Sequence, residues 1–195
     1  MGRHREFDVD EALDAVVDVF WSKGYEGASY TDLTRAAGVE RPGLYAAFGN
    51  KEAMFRLALD RYYQRYLSYF PEALEQPTSR RVVDRILRGA AELHTRYPER
   101  RGCLGVLGAV VGSDDTVPVQ QTLIAARAAG ESALVARLER ARQEGDLPDD
   151  AHCAALAAFV MTMLSGMAVE ARNGADRATL DAVAEQALST WPGRG

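Results

Sequence analysis

The sequence predicts an all-α protein, and three observations lead to this fold class. Apolar residues recur at three- and four-residue spacing along most of the chain, which is the period of helices with one buried face. No segment shows the strict apolar–polar alternation of a β-strand. Most of the seven prolines fall between the periodic segments, where they separate one helix from the next. We therefore predict about nine helices.

The first four predicted helices form the N-terminal part of the chain. Predicted helix 1 covers residues 8–23 and carries a continuous apolar stripe, and a glycine ends it. Predicted helices 2 and 3 lie within residues 29–48. Predicted helix 4, residues 51–70, is too long to serve a small bundle alone. We therefore expect an N-terminal domain of residues 1–50 and a second domain of residues 51–195, which helix 4 links to the first.

The C-terminal part carries the remaining predicted helices after a break at residues 71–77. Predicted helix 8 begins after a cap at Asp149 or Asp150 and is apolar nearly all round. Its uncharged run barely reaches the length of a membrane span, so we predict a fully buried helix that needs partners on more than one side. Predicted helices 5 to 9 cover residues 79–97, 102–112, 118–144, 150–172 and 176–190.

Residues 29–48 have the turn chemistry of two short helices joined at a sharp corner. Ser29 and Asp32 form the acidic variant of a capping box. Gly38 can adopt the left-handed conformation that the corner requires, and Pro42 falls in the first turn of the next helix, where its missing N–H costs nothing. Tyr45 is left on the outward face. The stretch predicts a helix-turn-helix, whose second helix can lie in a DNA major groove.

The net charge limits how DNA could be bound. The formal net charge is −5, and acidic residues outnumber basic ones in the N-terminal part as well. Any DNA contact must therefore come from a local basic face rather than from bulk charge. The candidate basic groups are Arg3, His4 and Arg5 ahead of predicted helix 1, with Arg41 and Lys51 at later helix starts.

A continuous stretch, residues 20–55, resembles the DNA-binding domain of the TetR/AcrR family of transcriptional regulators. It reads FWSKGYEGASYTDLTRAAGVERPGLYAAFGNKEAMF, and its Gly-Tyr, Ala-Ala-Gly-Val, Leu-Tyr-x-x-Phe and Lys-Glu-Ala elements have the family's spacing. The C-terminal part resembles the family only loosely. The resemblance implies a homodimer whose helix-turn-helix domains bind double-stranded DNA at a palindromic operator. It also implies a C-terminal domain that binds a small-molecule effector of unknown identity and dimerises through predicted helices 7 and 8.

The family pattern places the DNA contacts at the start of predicted helix 2 and along helix 3. Arg41 is the best candidate to read a base, because its guanidinium can pair with O6 and N7 of guanine together. Hydroxyl and ammonium groups would contact phosphate, and Pro42 with Gly43 would allow close approach. The alternative is that these residues only cover the surface of a small bundle. The candidates are Ser29, Tyr30, Thr31, Arg41, Pro42, Gly43, Tyr45 and Lys51.

Effector-binding residues are harder to predict, because aromatic and methionine side chains at helical spacing more often form plain core. A hydrogen-bonded core histidine is the alternative for His94, and the pair His152–Cys153 makes a poor chelate, so we expect no metal site. The candidates for the effector pocket are Tyr62, Tyr66, His94, Tyr97, Cys103, Phe159, Met163 and Met167.

Cys103 supports a further alternative. It follows Arg100 and Arg101 at the start of an apolar helix, and cationic neighbours and a helix N-terminus both lower a thiol pKa. A thiol that senses oxidants or electrophiles therefore competes with an inert packed cysteine.

The leading prediction for function is a repressor that a small molecule releases from its operator. The alternatives are constitutive DNA binding without an effector, the thiol sensor, and an enzyme or ligand-binding protein that keeps the fold. With three histidines and no visible nucleophile–base set, we expect neither catalysis nor a cofactor. The N-terminus lacks an apolar signal core and only two cysteines occur, so we expect a cytoplasmic protein without membrane contact.

Overall fold

A computed structural model describes residues 7–108 and 116–193, and these residues form ten α-helices, a short 3₁₀ turn (Pro98–Arg100) and no strand. The all-α prediction is confirmed. Arg3, His4, Arg5 and residues 109–112 of predicted helix 6 lie outside the described residues. The helices are α1 (Val9–Gly27), α2 (Tyr30–Ala37), α3 (Arg41–Phe48), α4 (Lys51–Tyr66), α5 (Tyr69–Leu74), α6 (Ser79–Arg96), α7 (Leu104–Leu107), α8 (Val117–Gln143), α9 (Cys153–Arg172) and α10 (Arg177–Ser189).

Gly24 interrupts α1, as the sequence predicts, but the helix resumes as far as Gly27. At Gly24 the backbone has φ 71° and ψ 178°, which an L side chain rarely adopts. A Cβ there would also lie 3.3 Å from the carbonyl oxygen of Gly108. Glycine at position 24 therefore permits both the break in α1 and the close approach of Gly108.

The prediction of one helix over residues 51–70 followed by a break at 71–77 is wrong. α4 ends at Tyr66, and α5 occupies Tyr69–Leu74. Pro71 lies in the first turn of α5, where its missing N–H removes no helical hydrogen bond, so it starts a helix instead of ending one. α5 packs closely on α6 at Gly89, where a Cβ would lie 2.4 Å from the ring of Tyr69.

The predicted cap of α9 is also wrong. His152, rather than Asp149 or Asp150, caps this helix, and its Nδ1 accepts the main-chain N–H of Ala155 at 3.1 Å. The helix meets the length and composition of a membrane span, with mean hydropathy 1.7 over its 18-residue window, as core helices also can. Only 28% of that window is buried in the single chain, so the predicted full burial would require partners outside this chain.

The apolar side chains of the described residues form two cores. The first joins α1, α2, α3 and α4, and it continues past residue 50 into α6, α7, α8 and α9 through Leu93, Leu104, Leu123 and Ala168. The second lies among α5, α6, α8, α9 and α10. The helix-turn-helix therefore rests on a core that it shares with the C-terminal helices.

Candidate nucleic-acid interface and adjoining cavity

The start of α2 is held by a reciprocal cap. Asp32 N–H donates to Ser29 Oγ at 3.1 Å, and Ser29 N–H donates to Asp32 Oδ2 at the same distance. Lys23 pairs with the Asp32 carboxylate at 2.6 Å, and this contact and the Ser29 bonds hold the Asp32 pKa well below its usual range. Ser29 Oγ also donates to Asp32 at 2.7 Å, so donation from this hydroxyl to a phosphate would require exchange of that bond.

Four predicted DNA contacts lie together between α2, α3 and the start of α4. The rings of Tyr30 and Tyr45 stack with centroids 5.2 Å apart, and Tyr45 Oη donates to Tyr30 Oη at 2.6 Å. The Arg41 guanidinium lies 4.2 Å above the Tyr30 ring, a favourable cation–π distance. The main-chain N–H of Lys51 donates to Tyr30 Oη at 3.1 Å. Tyr30 thus connects all three helices.

Hydrogen bonding and burial shift the pKa values of the two tyrosines in opposite directions. The hydrogen bond that Arg41 donates lowers the pKa of Tyr45, whereas burial raises the pKa of Tyr30. The Lys51 ammonium lies 4.7 Å from the ring of Tyr25, and partial burial lowers its pKa. The Arg41 and Lys51 side chains therefore each lie against the face of an aromatic ring.

The remaining predicted contacts are Thr31, Pro42 and Gly43. Thr31 and Pro42 are exposed, at the start of α2 and α3 respectively. A Cβ on Gly43 would lie 2.8 Å from Cγ1 of Val39. A side chain at position 43 would therefore force Val39 to shift, so the corner between α2 and α3 gives Gly43 a packing reason besides close approach to DNA.

A cavity of about 540 Å³ lies between α4, α5, α6, α8, α9 and the segment 103–106. Two of the predicted effector residues, His94 and Cys103, are on its wall. Sequence spacing did not predict the other wall residues, because consecutive helical residues point about 100° apart and a one-residue error in phase selects the wrong face. Those wall residues include Tyr63, Tyr69, Phe70, Arg127, Met161 and Leu164.

The other predicted effector residues do not line this cavity. Tyr62 is fully buried in the first core, and Tyr66 and Tyr97 pack against Trp21 at ring distances of 5.0 and 5.6 Å. Phe159 is 42% exposed on α9. Met163 and Met167 pack in or against the second core.

The predicted lowering of the Cys103 pKa is wrong. Cys103 is buried, burial raises its thiol pKa, and the hydroxyl of Tyr62 donates to Sγ at 3.3 Å. Arg100 pairs with Asp18, Arg101 donates to the carbonyl oxygen of Ala175, and α7 is only four residues long. Burial therefore outweighs the main-chain N–H groups of Gly105 and Val106, which lower the thiol pKa, and the two arginines are engaged elsewhere. The sensing role itself stays a prediction.

His94 differs from a satisfied core histidine. It is 2% exposed, and its Nδ1 has no hydrogen-bond partner among the described residues. Burial lowers its pKa to about 4, so the imidazole is neutral at pH 7. A residue of the mainly apolar cavity wall therefore carries an uncompensated polar atom.

Metal ligation finds no support in the described ranges, 7–108 and 116–193, where no group of three or more His, Cys, Asp or Glu side chains could hold an ion. His152 Nδ1 is already engaged with the main chain of α9.

The segment 102–108 connects the cavity to α1. Cys103, Gly105 and Val106 line the cavity. The indole N–H of Trp21 donates to the carbonyl oxygen of Gly102 at 3.1 Å, and the main-chain N–H of Tyr25 donates to Gly108 at 2.7 Å. A displacement of the cavity wall would therefore act directly on the second half of α1.

Comparisons with known proteins agree with this geometry. A sequence model described as "Bacterial regulatory proteins, tetR family" matches residues 12–58. The HTH-type transcriptional repressor ComR of Escherichia coli K12 is 33% identical over 98% of this chain and 92% of its own length. The repressor BdcR of the same organism is 28% identical over 89% of this chain and 83% of its own.

The solved structures include a close match. A cysteine mutant of the TetR family transcriptional regulator CifR, complexed with a 26-base-pair double-stranded operator DNA, has 40% sequence identity and a TM-score of 0.92. The superposition covers 98% of this chain and 100% of the CifR chain. Since a curated repressor and an operator-bound regulator both match along nearly the whole length, this chain belongs to the tetR family of bacterial regulatory proteins.

Proposed function

We propose that this protein is a transcriptional repressor that binds a palindromic operator as a homodimer and is released by a small molecule in the cavity. The relatives ComR and BdcR are named transcriptional repressors, and CifR is complexed with operator DNA, which supports the DNA-binding part. One observation carries the response to a ligand: the segment 102–108 both lines the cavity and bonds to α1.

The proposed mechanism is a change in the spacing of the two DNA-binding heads. In a dimer on a palindrome, the two α3 helices would enter major grooves about one helical turn apart, roughly 34–36 Å. α4 supplies Tyr63 and Gln64 to the cavity wall, its C-terminal cap supplies Leu67, and the helix packs along α1. A ligand that fits better when α4 and the segment 102–108 move would favour a spacing that the operator does not accept, to the extent of its differential affinity.

The proposal places the dimer interface on α8 and α9. These helices carry large apolar side chains that a single chain leaves in contact with solvent: Ile124 is 66% exposed, Phe159 42% and Val169 41%. Two such helices from each subunit would form a four-helix bundle and bury these side chains.

Negative charges introduced on this face should therefore dissociate the dimer. We expect the double change Ile124→Glu and Phe159→Glu to shift the protein from dimer to monomer in sedimentation equilibrium, because two carboxylates per chain would lose solvation in the interface. Leu57→Glu is the matched control, since Leu57 is 41% exposed but lies on α4. A double variant that stays dimeric would show that another surface joins the subunits.

Lys51 is proposed to contact phosphate rather than a base. We expect Lys51→Ala to weaken binding to the operator and to unrelated DNA alike, and to reduce the slope of log K against log [salt] by about 1. Arg56→Ala serves as the control, because Arg56 is paired with Glu52 on the exposed side of α4. A loss confined to operator DNA would contradict the phosphate assignment.

The proposal as a whole is tested in two steps. An operator is first selected from a random-sequence library, and footprinting should show protection of two half-sites about one helical turn apart. Small molecules are then screened for release of that complex. Failure of the first step would refute sequence-specific DNA binding, while an operator complex that no cavity ligand dissociates would favour constitutive binding. The proposal includes no catalytic role and places the protein in the cytoplasm with its DNA.

A further inference from the structure

The cavity wall is almost free of charge. Its described lining consists mainly of aromatic, aliphatic and small residues, and Arg127 is the basic residue of that lining. Burial raises the pKa values of Tyr63, Tyr69 and Cys103, so their hydroxyl and thiol groups stay protonated. An ion placed among these side chains would lose its hydration without gaining a counter-charge.

Arg127 is bound to the protein rather than left for a ligand. Its guanidinium donates to Ser165 Oγ at 2.6 Å and to the carbonyl oxygen of Met161 at 3.3 Å. The residue is exposed and bridges α8 to α9 at the edge of the cavity. Its charge therefore sits at the rim, and the interior is left to neutral groups.

Within the described cavity lining, His94 carries a buried polar atom without a hydrogen-bond partner. It is on the cavity wall, 2% exposed, and its Nδ1 has no partner among the described residues. A buried polar atom without a hydrogen bond costs free energy that a suitably placed ligand group can recover. The neutral ring can either accept or donate, depending on its tautomer.

We propose that the cavity takes an uncharged, mainly apolar molecule with one hydrogen-bonding group, which pairs with the imidazole of His94. The proposal deepens the proposed function and rests on it for the link to DNA release. The volume of about 540 Å³ lies within the range of roughly 300–1,000 Å³ that small-molecule sites occupy. The aromatic walls of Tyr63, Tyr69 and Phe70 suit flat or aliphatic skeletons.

Two fluorescent probes that share one ring system test whether the cavity prefers an uncharged ligand. N-phenyl-1-naphthylamine is uncharged and has a single N–H, whereas 8-anilino-1-naphthalenesulfonate adds one negative charge to the same rings. We expect the uncharged probe to saturate one site per chain and to bind at least about tenfold more tightly than the sulfonate. Equal or tighter binding of the sulfonate would overturn the inference.

Gly130 allows the cavity to be filled without disturbing the backbone. A Cβ there would lie 3.9 Å from Phe70 and 4.0 Å from Met161, which is ordinary contact, so a longer side chain extends into the cavity. We expect Gly130→Leu to weaken N-phenyl-1-naphthylamine binding by at least about tenfold while the helix is kept, since leucine is a better helix former than glycine. Ala136→Leu, at an exposed position of α8 outside the cavity, should leave binding unchanged. Unaltered binding to the Gly130 variant would place the probe elsewhere.

The role of His94 is tested with a second pair of probes, which compete with the fluorescent one. His94→Leu should weaken the binding of 1-naphthol by about 3- to 10-fold and leave the binding of 1-methylnaphthalene unchanged. Only the hydroxyl compound can pair with the imidazole. His94→Gln, which keeps a hydrogen-bonding side chain, should restore part of the naphthol affinity and guards against a folding defect. Equal weakening of both probes by His94→Leu would contradict the pairing.

Operator binding is measured separately by gel shift with each variant. Operator binding without uptake of N-phenyl-1-naphthylamine would overturn the ligand class and leave DNA recognition intact. The expected probe pattern in a protein that binds no operator would support the ligand class and overturn the proposed function.

Discussion

Replacement of Arg41 by alanine is expected to weaken operator binding by about 1–3 kcal/mol and to relax the preference for one base pair. Arg41 opens α3, is exposed, and lies 4.2 Å above the Tyr30 ring with Nη2 3.4 Å from Tyr45 Oη. The stacking holds the guanidinium at the outer face of the helix-turn-helix and reduces the side-chain entropy lost when it meets a base. Fluorescence anisotropy on the operator and on single-base variants of each half-site measures both effects.

Two further variants separate base reading from general charge. Arg41→Lys keeps the charge but lacks the planar fork, so it should lose most of the base preference while retaining affinity for unrelated DNA. Arg56→Ala removes an exposed arginine on α4 and should change neither quantity. If Arg41→Ala left the base preference unaltered, α3 would dock in a different register from the one proposed.

Replacement of Trp21 by alanine is expected to lower the free energy of unfolding by about 3–5 kcal/mol. Trp21 is 3% exposed, and its ring packs edge-on against Tyr62 at 4.8 Å and near Tyr66 and Tyr97. Its indole N–H also satisfies the carbonyl oxygen of Gly102. Urea denaturation followed by circular dichroism measures the loss.

The smaller change Trp21→Phe isolates the hydrogen bond between α1 and the cavity segment. It should cost about 1–3 kcal/mol of stability, because the Gly102 carbonyl oxygen loses its indole donor. It should also reduce the amount by which a cavity ligand weakens operator binding. Trp191→Phe is the matched control, since Trp191 is 6% exposed and its indole N–H donates to Ser79 Oγ at 3.2 Å in the second core. If both variants changed the ligand response equally, coupling would not run through Trp21.

Local signals predicted the helix-turn-helix well because neighbouring residues satisfy one another. The capping box of Ser29 and Asp32 and the left-handed Gly38, with φ 65°, are present as predicted. Asn50 caps α4 by accepting the N–H of Ala53. Each of these features depends on groups a few residues apart, so sequence spacing alone specifies them.

Predictions failed where a local signal has two meanings or where distant segments meet. Pro71 is compatible with the end of one helix and with the first turn of another, and packing of Tyr69 on Gly89 selects the second. The lowered thiol pKa predicted for Cys103 rested on two neighbouring arginines, whereas the fold uses their side chains for Asp18 and Ala175.

The sequence by itself determined the all-α class, the helix-turn-helix and the outward position of Tyr45, because helical period, caps and turn residues act over short distances. Only the tertiary structure decided which side chains line the cavity, since a helix offers several apolar faces and packing chooses among them. It also decided that the segment 102–108 joins that cavity to Trp21 on α1, a contact across 81 positions of the chain. No spacing rule reports such a contact, because the free energy that makes it comes from burial shared by the whole core.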